Sequence, residues 1–318
     1  MKKIVSVFLC VLFTISLTAC ENKAEYLSVL DNSGIFSNRS GEELPQTIVH
    51  DVVMNHFGDL SQNSGKKKMA CIIGVDGTRA DGMTILPEDS GIRRVAAEGG
   101  LYLSFAGGDE DYKQPTATAP GWTSILTGVW ADKHGVTRNY TEKNDEYPTF
   151  VTELAKKYGT SGMLAFGWDG HVGENCRSTY LPEWKAVQAS GLDVVYHNFD
   201  SDVEIFKSIV DMAEYTQNST AFFCVFDDVD ENGEKSGFSV KKEKYAAEIE
   251  DCNNKVEKIY NAIKSRPTFS EEDWLVIVTT DHGGSGHKHG THNIGCTETW
   301  IACNKSIDPH ALKEQKPA

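Results

Sequence analysis

Positive charge is scarce in this chain: 31 lysines and arginines stand against 46 aspartates and glutamates over 318 residues, a formal net charge of −15. That balance argues against a nucleic-acid partner, because gripping a phosphate backbone takes Lys- and Arg-rich surface. It also makes polyanions poor substrates unless metal ions supply local positive charge. The one long apolar run, Ile4 to Leu17, is too short to span a bilayer as a mature helix. No internal repeat is visible, which removes solenoids and propellers. No CxxC spacing occurs among the eight cysteines, and they are not read as zinc ligands. Cys71 and Cys224 sit inside apolar strand-like runs, where a buried free thiol is usual. Cys176, Cys252, Cys296 and Cys303 are available for disulfides outside the cytoplasm, but no spacing identifies a pair. What remains is the composition of a folded protein, 40% hydrophobic and 24% charged, with length for one large domain or two ordinary ones.

Lys2 and Lys3 precede the apolar run, which ends in Leu17-Thr18-Ala19-Cys20. That ending resembles the lipobox of bacterial lipoproteins. It implies cleavage before Cys20, acylation of its thiol, and an exported protein lipid-anchored at the cell envelope. An ordinary secretory signal with a coincidental cysteine is the alternative, and both take the mature chain out of the cytoplasm. From about Glu21 to Lys68 the chain is polar and reads as a tether. Within it, Ile48, Val49, Val52, Val53 and Phe57 are spaced for one amphipathic packing helix. The division expected is therefore 1–19 signal peptide, 20–67 tether and packing helix, and 68–318 main domain.

Short runs rich in β-branched or aromatic residues predict strands at Met69–Val75, Gly162–Gly167, Asp193–Tyr196, Ala221–Phe226 and Trp274–Thr279. Between them lie helical candidates at Ile92–Glu98, Trp122–Leu126, Phe150–Tyr158, Val203–Tyr215 and about Val240–Lys264. This alternation predicts an α/β sandwich around a mainly parallel sheet. In such sheets ligands gather beyond the carboxyl ends of the strands.

Three of the predicted strands run into acids there: Asp76-Gly77, Asp227-Asp228-Val229-Asp230, and Asp281-His282-Gly283-Gly284. One aspartate after a strand is ordinary turn chemistry. An Asp-His pair flanked by glycines says more, since carboxylate oxygen with imidazole suits zinc or manganese. In Thr116-Ala117-Thr118-Ala119-Pro120-Gly121, Pro120 fits the first turn of a helix. Thr118 then lies just ahead of that helix's N-terminus, where free N–H groups favour an anion. Taken alone, Thr118 or Thr116 reads equally well as an N-cap. His287, His289 and His292 crowd the loop after the Asp-His pair, and any of them is a candidate ligand.

Together, over roughly Met69 to Asn304, these segments resemble the alkaline phosphatase superfamily, and within it the type I phosphodiesterase and nucleotide pyrophosphatase branch. The resemblance is thinner between Asn144 and Thr220. It implies a three-layer sandwich and two divalent metal ions. Asp76, Asp281, His282 and the Thr118 hydroxyl match the first ion's ligands; Asp230, Glu234 and His289 match the second's. Thr118 matches the nucleophile that forms a covalent phosphothreonine, and Asn139, reached through His134-Gly135-Val136, matches a hydrogen-bond donor to the phosphoryl oxygen. One position departs from the pattern: Glu234 stands where the family has histidine. Zinc is the expected ion, with manganese or calcium as alternatives at the Glu234 site. The chain also stops soon after Glu298–Cys303, earlier than the family usually does.

The expected activity is hydrolysis of a small phosphorylated substrate such as a nucleotide or phosphodiester, with no nucleic-acid binding. A phosphomonoesterase of the same superfamily is the first alternative; it needs extra positive charge, for which Arg177 and Lys185 are candidates. A non-catalytic binding protein is the second, and Glu234 is its main support. Sulfatases of the superfamily convert a Cys or Ser to formylglycine, which Thr118 cannot supply. The segment Phe166-Gly167-Trp168-Asp169-Gly170-His171 reads equally as a substrate-facing loop or a structural turn.

Overall fold

The computed structural model describes residues 22–59, 65–107, 114–174 and 176–308. Its eight strands are β1 (Leu44–Pro45), β2 (Lys67–Val75), β3 (Gly100–Phe105), β4 (Ser161–Phe166), β5 (Val194–Asn198), β6 (Thr220–Phe226), β7 (Glu272–Thr279) and β8 (Glu298–Cys303). They form one sheet in the order β1-β3-β8-β7-β2-β6-β4-β5. Every neighbouring pair is parallel except β3–β8 and β7–β8, so β8 alone runs against the rest.

From Met69 onward β2 is buried throughout, as a central strand covered on both faces must be. Its side chains alternate between two cores. Met69, Cys71, Ile73 and Val75 face one, with the helices Lys23–Ser33, Gly91–Ala97, Asp202–Tyr215 and Glu243–Lys264. Ala70 and Ile72 face the other, with the helices Ile48–Gly58, Thr118–Thr127, Phe150–Tyr158 and Leu181–Ser190. Helix, sheet and helix make the three layers expected of this α/β chain. Phe150–Tyr158 illustrates how local sequence sets an element: the Thr149 side chain accepts from Thr152 N–H at the start, and Gly159 takes φ 68° at the end.

Residues 20–67 are where the expectation needs correcting. The packing helix is present as Ile48–Gly58, but the stretch before it is no tether. Lys23–Ser33 is a helix that buries Tyr26 and Leu30 in the first core, and Leu44–Pro45 pairs in parallel with the end of β3. The leader and the proposed anchor Cys20 lie outside the described residues. Among the described residues Cys71, Cys224, Cys252 and Cys303 are buried free thiols, Cys176 is a partly exposed one, Cys296 is buried, and no helix is long and apolar enough to cross a membrane.

Register then decides where the chemistry sits. Val75 pairs with Phe226 and Gly74 with Thr279, so β6, β2 and β7 end level with one another. Asp76, the Asp227–Asp230 run and Asp281-His282 emerge side by side from the middle of the sheet.

Candidate metal centre and its cavity

Gly77 turns the chain beyond β2 with φ +65°, and a Cβ there would fall 2.3 Å from Asp230 Oδ1. Only glycine tolerates both the angle and the approach. The turn is pinned at the back by Tyr245, whose hydroxyl donates to the Gly77 carbonyl (2.8 Å) and accepts from Arg79 N–H (3.0 Å). Gly77 N–H in turn donates to Asp281 Oδ1 at 3.3 Å, joining the ends of β2 and β7.

Two groups of ligand-type atoms lie within 4.8 Å of one another: Asp76, Asp281 and His282, and Asp230, His282 and His289. His282 belongs to both. Its Nε2 is 3.5 Å from Asp76 Oδ1 and 3.4 Å from Asp281 Oδ2; His289 Nε2 is 3.9 Å from Asp230 Oδ2 and 3.5 Å from Glu234 Oε1. Both imidazoles are oriented by a carbonyl, which can only accept. His282 Nδ1–H donates to Gly283 O (2.9 Å) and His289 Nδ1–H to Thr116 O (3.0 Å), leaving each Nε2 with a bare lone pair. The two rings stack with centroids 4.2 Å apart.

Asp76 Oδ1, Asp230 Oδ1, Asp281 Oδ2 and His282 Nε2 are buried without a hydrogen-bond partner. Such orphaned atoms are costly unless something absent from the polypeptide satisfies them. Burial first, then the charge of Asp230 on Asp76 and those of Asp76 and Asp230 on Asp281, push Asp76 and Asp281 well above the usual carboxylate range. Burial, opposed by the charge of His289 and helped by smaller pushes from Glu234 and Glu231, lifts Asp230 to about 6. Burial and His289 drive His282 well below its ordinary value. Acids that resist ionising beside a histidine that resists protonation make a site short of positive charge, and divalent cations fit that donor set.

The helix Thr118–Thr127 points its N-terminus at this centre. Thr118 is its first residue rather than the one before it, and Pro120 lies in the first turn. Ala117 offers no capping side chain; Asn139 substitutes, its Oδ1 accepting from Ala119 N–H at 3.0 Å. Thr118, Asn139, Asp76, Asp230, Glu234 and His289 all line one cavity of about 360 Å³. The sequence-derived candidates therefore converge, with differences of placement. Glu234 is 54% exposed at the rim and reaches His289 rather than the buried acids. His287 is exposed and its ring contacts the Glu234 carbonyl, while His292 is exposed and outside both ligand groups. Arg177 and Lys185 are exposed and do not line the cavity. His134 is structural: Nδ1 accepts from Val136 N–H, Nε2–H reaches Ser124 Oγ on the Thr118 helix, and burial with nearby Lys143 lowers its pKa to about 3.

Trp122, Tyr245 and Tyr140 escaped the sequence reading. Trp122 Nε1 donates to Asp76 Oδ2 at 3.0 Å, fixing which carboxylate oxygen stays free. Tyr245 comes from the distant helix Glu243–Lys264. Asp227 and the Tyr140–Trp168 ring pair complete the cavity wall. Trp168 lay in a segment already singled out; nothing local marks Trp122 or Tyr245.

The profile of the type I phosphodiesterase / nucleotide pyrophosphatase family matches residues 70–314. A curated relative, GPI ethanolamine phosphate transferase 1 of Candida glabrata, is 25% identical over 204 residues, 56% of this chain but only 21% of the relative, so the chain spans about a fifth of that protein. Among solved structures, the phosphonate monoester hydrolase of Agrobacterium radiobacter superposes with TM-score 0.52 at 13% identity, covering 74% of this chain and 68% of that one. A 2-O GAG sulfatase gives TM-score 0.51 at 12% identity, covering 76% and 66%. At such identities these structures speak for the fold alone. With the family profile spanning most of the described chain and the centre built at the strand ends, the protein belongs to the type I phosphodiesterase / nucleotide pyrophosphatase family.

Proposed function

We propose that this chain hydrolyses phosphate diesters through a covalent phosphothreonine formed on Thr118. The observation that carries the reading is the set of buried, unpartnered atoms on Asp76, Asp230, Asp281 and His282, in a cavity that Thr118 also lines. Asp76, Asp281 and His282 with the Thr118 hydroxyl would hold one divalent ion, and Asp230, His289 and Glu234 the other. Zinc suits the first, and the carboxylate Glu234 opens the second to manganese or calcium. When bound, the ions supply charge neutralisation at the phosphoryl oxygens and acidify the threonine hydroxyl.

Thr118 Oγ, having lost its proton, attacks phosphorus in line; the P–O bond to the leaving alcohol breaks and the alkoxide takes a proton from water. Water then attacks the phosphothreonine, the P–Oγ bond breaks, and Thr118 regains its hydroxyl as the phosphate monoester departs. Asn139 Oδ1 is engaged by the helix, so its amide NH₂ is free to donate to a non-bridging oxygen, a contact worth about 2.7–4 kcal/mol where such donors have been removed. Among the described residues no lysine or arginine lines the cavity to meet the second charge of a monoester, and this favours the diester. The curated relative is by name a transferase, and an alcohol in place of water would make the same intermediate a donor.

The test uses the chain from Glu21 onward, loaded separately with zinc, manganese and calcium. Metal-dependent cleavage of bis-p-nitrophenyl phosphate in preference to p-nitrophenyl phosphate, lost in Thr118→Ala, is expected. Faster monoester cleavage would make the protein a phosphomonoesterase, and no turnover with any ion would leave a binding protein. We also propose export and lipid anchoring through Cys20, supported by Leu17-Thr18-Ala19-Cys20. Radiolabelled palmitate should enter the wild type and not Cys20→Ser.

A further inference from the structure

One turn after Thr118, in the same helix, Trp122 is fully buried and stands behind the cavity rather than in its lining. Helical side chains lean back towards the N-terminus, and this one leans across β2. A Cβ on Gly74 would stand 2.4 Å from the indole, so the strand gives up a side chain to admit the ring. Phe223 meets it from another side, with centroids 5.6 Å apart at 66°. Held in this way, Nε1–H donates to Asp76 Oδ2 at 3.0 Å, while Oδ1 stays without a partner, 3.5 Å from His282 Nε2. The two oxygens of one ligand carboxylate are therefore unequal in the bare protein. Glu234, in the second ligand group, is by contrast 54% exposed at the rim.

We propose that Trp122 is a positioning residue that sets ion selectivity in the first ligand group: by engaging Asp76 Oδ2 it leaves Oδ1 alone for an ion, and so favours zinc over calcium. Zinc is satisfied by few ligands, each giving one donor atom. Calcium takes six to eight oxygens and often both oxygens of a carboxylate, which the indole bond denies it here. A group that orients a metal ligand from behind is typically worth about 10–100-fold in metal affinity. The same bond ties ligand to nucleophile, since Asp76 cannot turn without pulling on the helix that begins at Thr118. This assignment deepens the two-ion reading of the centre and rests on it for which ligands serve the first ion.

The test measures ion binding with no substrate present. Asp230→Asn protein, its second ligand group disabled, is titrated with zinc and with calcium by calorimetry. Adding Trp122→Phe should raise the zinc Kd about tenfold or more and leave the calcium Kd unchanged or lower, so the preference for zinc shrinks at least about tenfold. Benzothienylalanine at position 122 keeps the fused rings and puts sulfur in place of N–H. It should shift the preference equally without changing the melting temperature of the metal-free protein, and it decides the matter if Trp122→Phe does not fold. Trp300→Phe, which loses an indole bond to Thr78 O (3.1 Å) instead, should change neither ion. Equal weakening of both ions, an unchanged preference with sulfur in the ring, a matching loss in Trp300→Phe, or no binding of either ion overturns the inference. A Trp122-dependent preference in a protein that cleaves no ester upholds it and removes the diesterase reading instead.

Discussion

The two ends of the central strands treat the same kind of side chain in opposite ways. At the amino end of β7, Glu272 is gripped by Arg266 (2.7 and 2.8 Å) and by Trp274 Nε1 (2.7 Å), and Asp273 lies between Lys68 (2.7 Å) and Lys305. Burial pushes both carboxyls up, but these hydrogen bonds outweigh it and hold each at about 2. At the carboxyl end of the same strand, Asp281 is buried with an orphaned oxygen, and among the described residues it forms no ion pair with a lysine or arginine. Glu272, like Asp281, is almost wholly buried, so accessibility alone does not explain that contrast. The difference is whether the polypeptide carries its own counter-charge, and at the carboxyl end it withholds it.

That contrast can be broken from either side. The largest effect expected is at the carboxyl end. Asp281→Asn should cut metal-dependent diester turnover by at least about 1000-fold, roughly 4 kcal/mol of barrier, and metal analysis should show ion content falling with it. At the amino end, Glu272→Ala leaves the buried Arg266 unpaired and should cost about 3 kcal/mol in urea unfolding, with metal content unchanged. Saturating ion at about 100 Kd should stabilise the wild type by roughly 2.7 kcal/mol in thermal melts, chelator should reverse it, and Asp281→Asn should respond little.

The smallest effect concerns pH. Glu272, held at about 2, adds stability above its unfolded value near 4.5, and that contribution is lost as pH falls towards 2. Glu298, at the start of β8, is the reverse case: burial, then the charge of Glu43, lifts it to about 8. Its contribution is present below pH 4.5 and drains away as pH rises to about 8. Glu298→Gln should flatten that decline, a gain of about 1–2 kcal/mol at pH 8 by chemical denaturation.

Much of this was legible in the sequence, for identifiable reasons. Buried parallel strands are continuous apolar runs, so Met69–Val75 and Trp274–Thr279 announced β2 and β7, and the acids that follow them located the centre. Phe150–Tyr158 matches residue for residue because its start and stop are written locally in Thr149 and Gly159. Gly100–Phe105 and Leu44–Pro45 were missed because distant neighbours make them strands. Lys23–Ser33 reads as tether in sequence because only Tyr26 and Leu30 of it are buried, too few to mark a face before the core exists to receive them. At the site the ligand types could be read, but not the sharing of His282 between two groups, nor Trp122 on Asp76. Those depend on angles between segments far apart in the chain.

The reversed direction of β8 has a consequence for how the protein tolerates change. A parallel successor to β7 would need a crossover to the far end of the sheet, whereas a reversed strand lets residues 280–297 turn back where they are. Asp281, His282 and His289 thus travel on a single connection, tied down where Gly290 N–H reaches Thr116 O at 2.6 Å. Loops are where insertions and deletions ordinarily accumulate harmlessly. This one is a single point of failure: one residue lost between His282 and His289 shifts a ligand of the second group against the shared ring, so neither half of the centre can drift without the other.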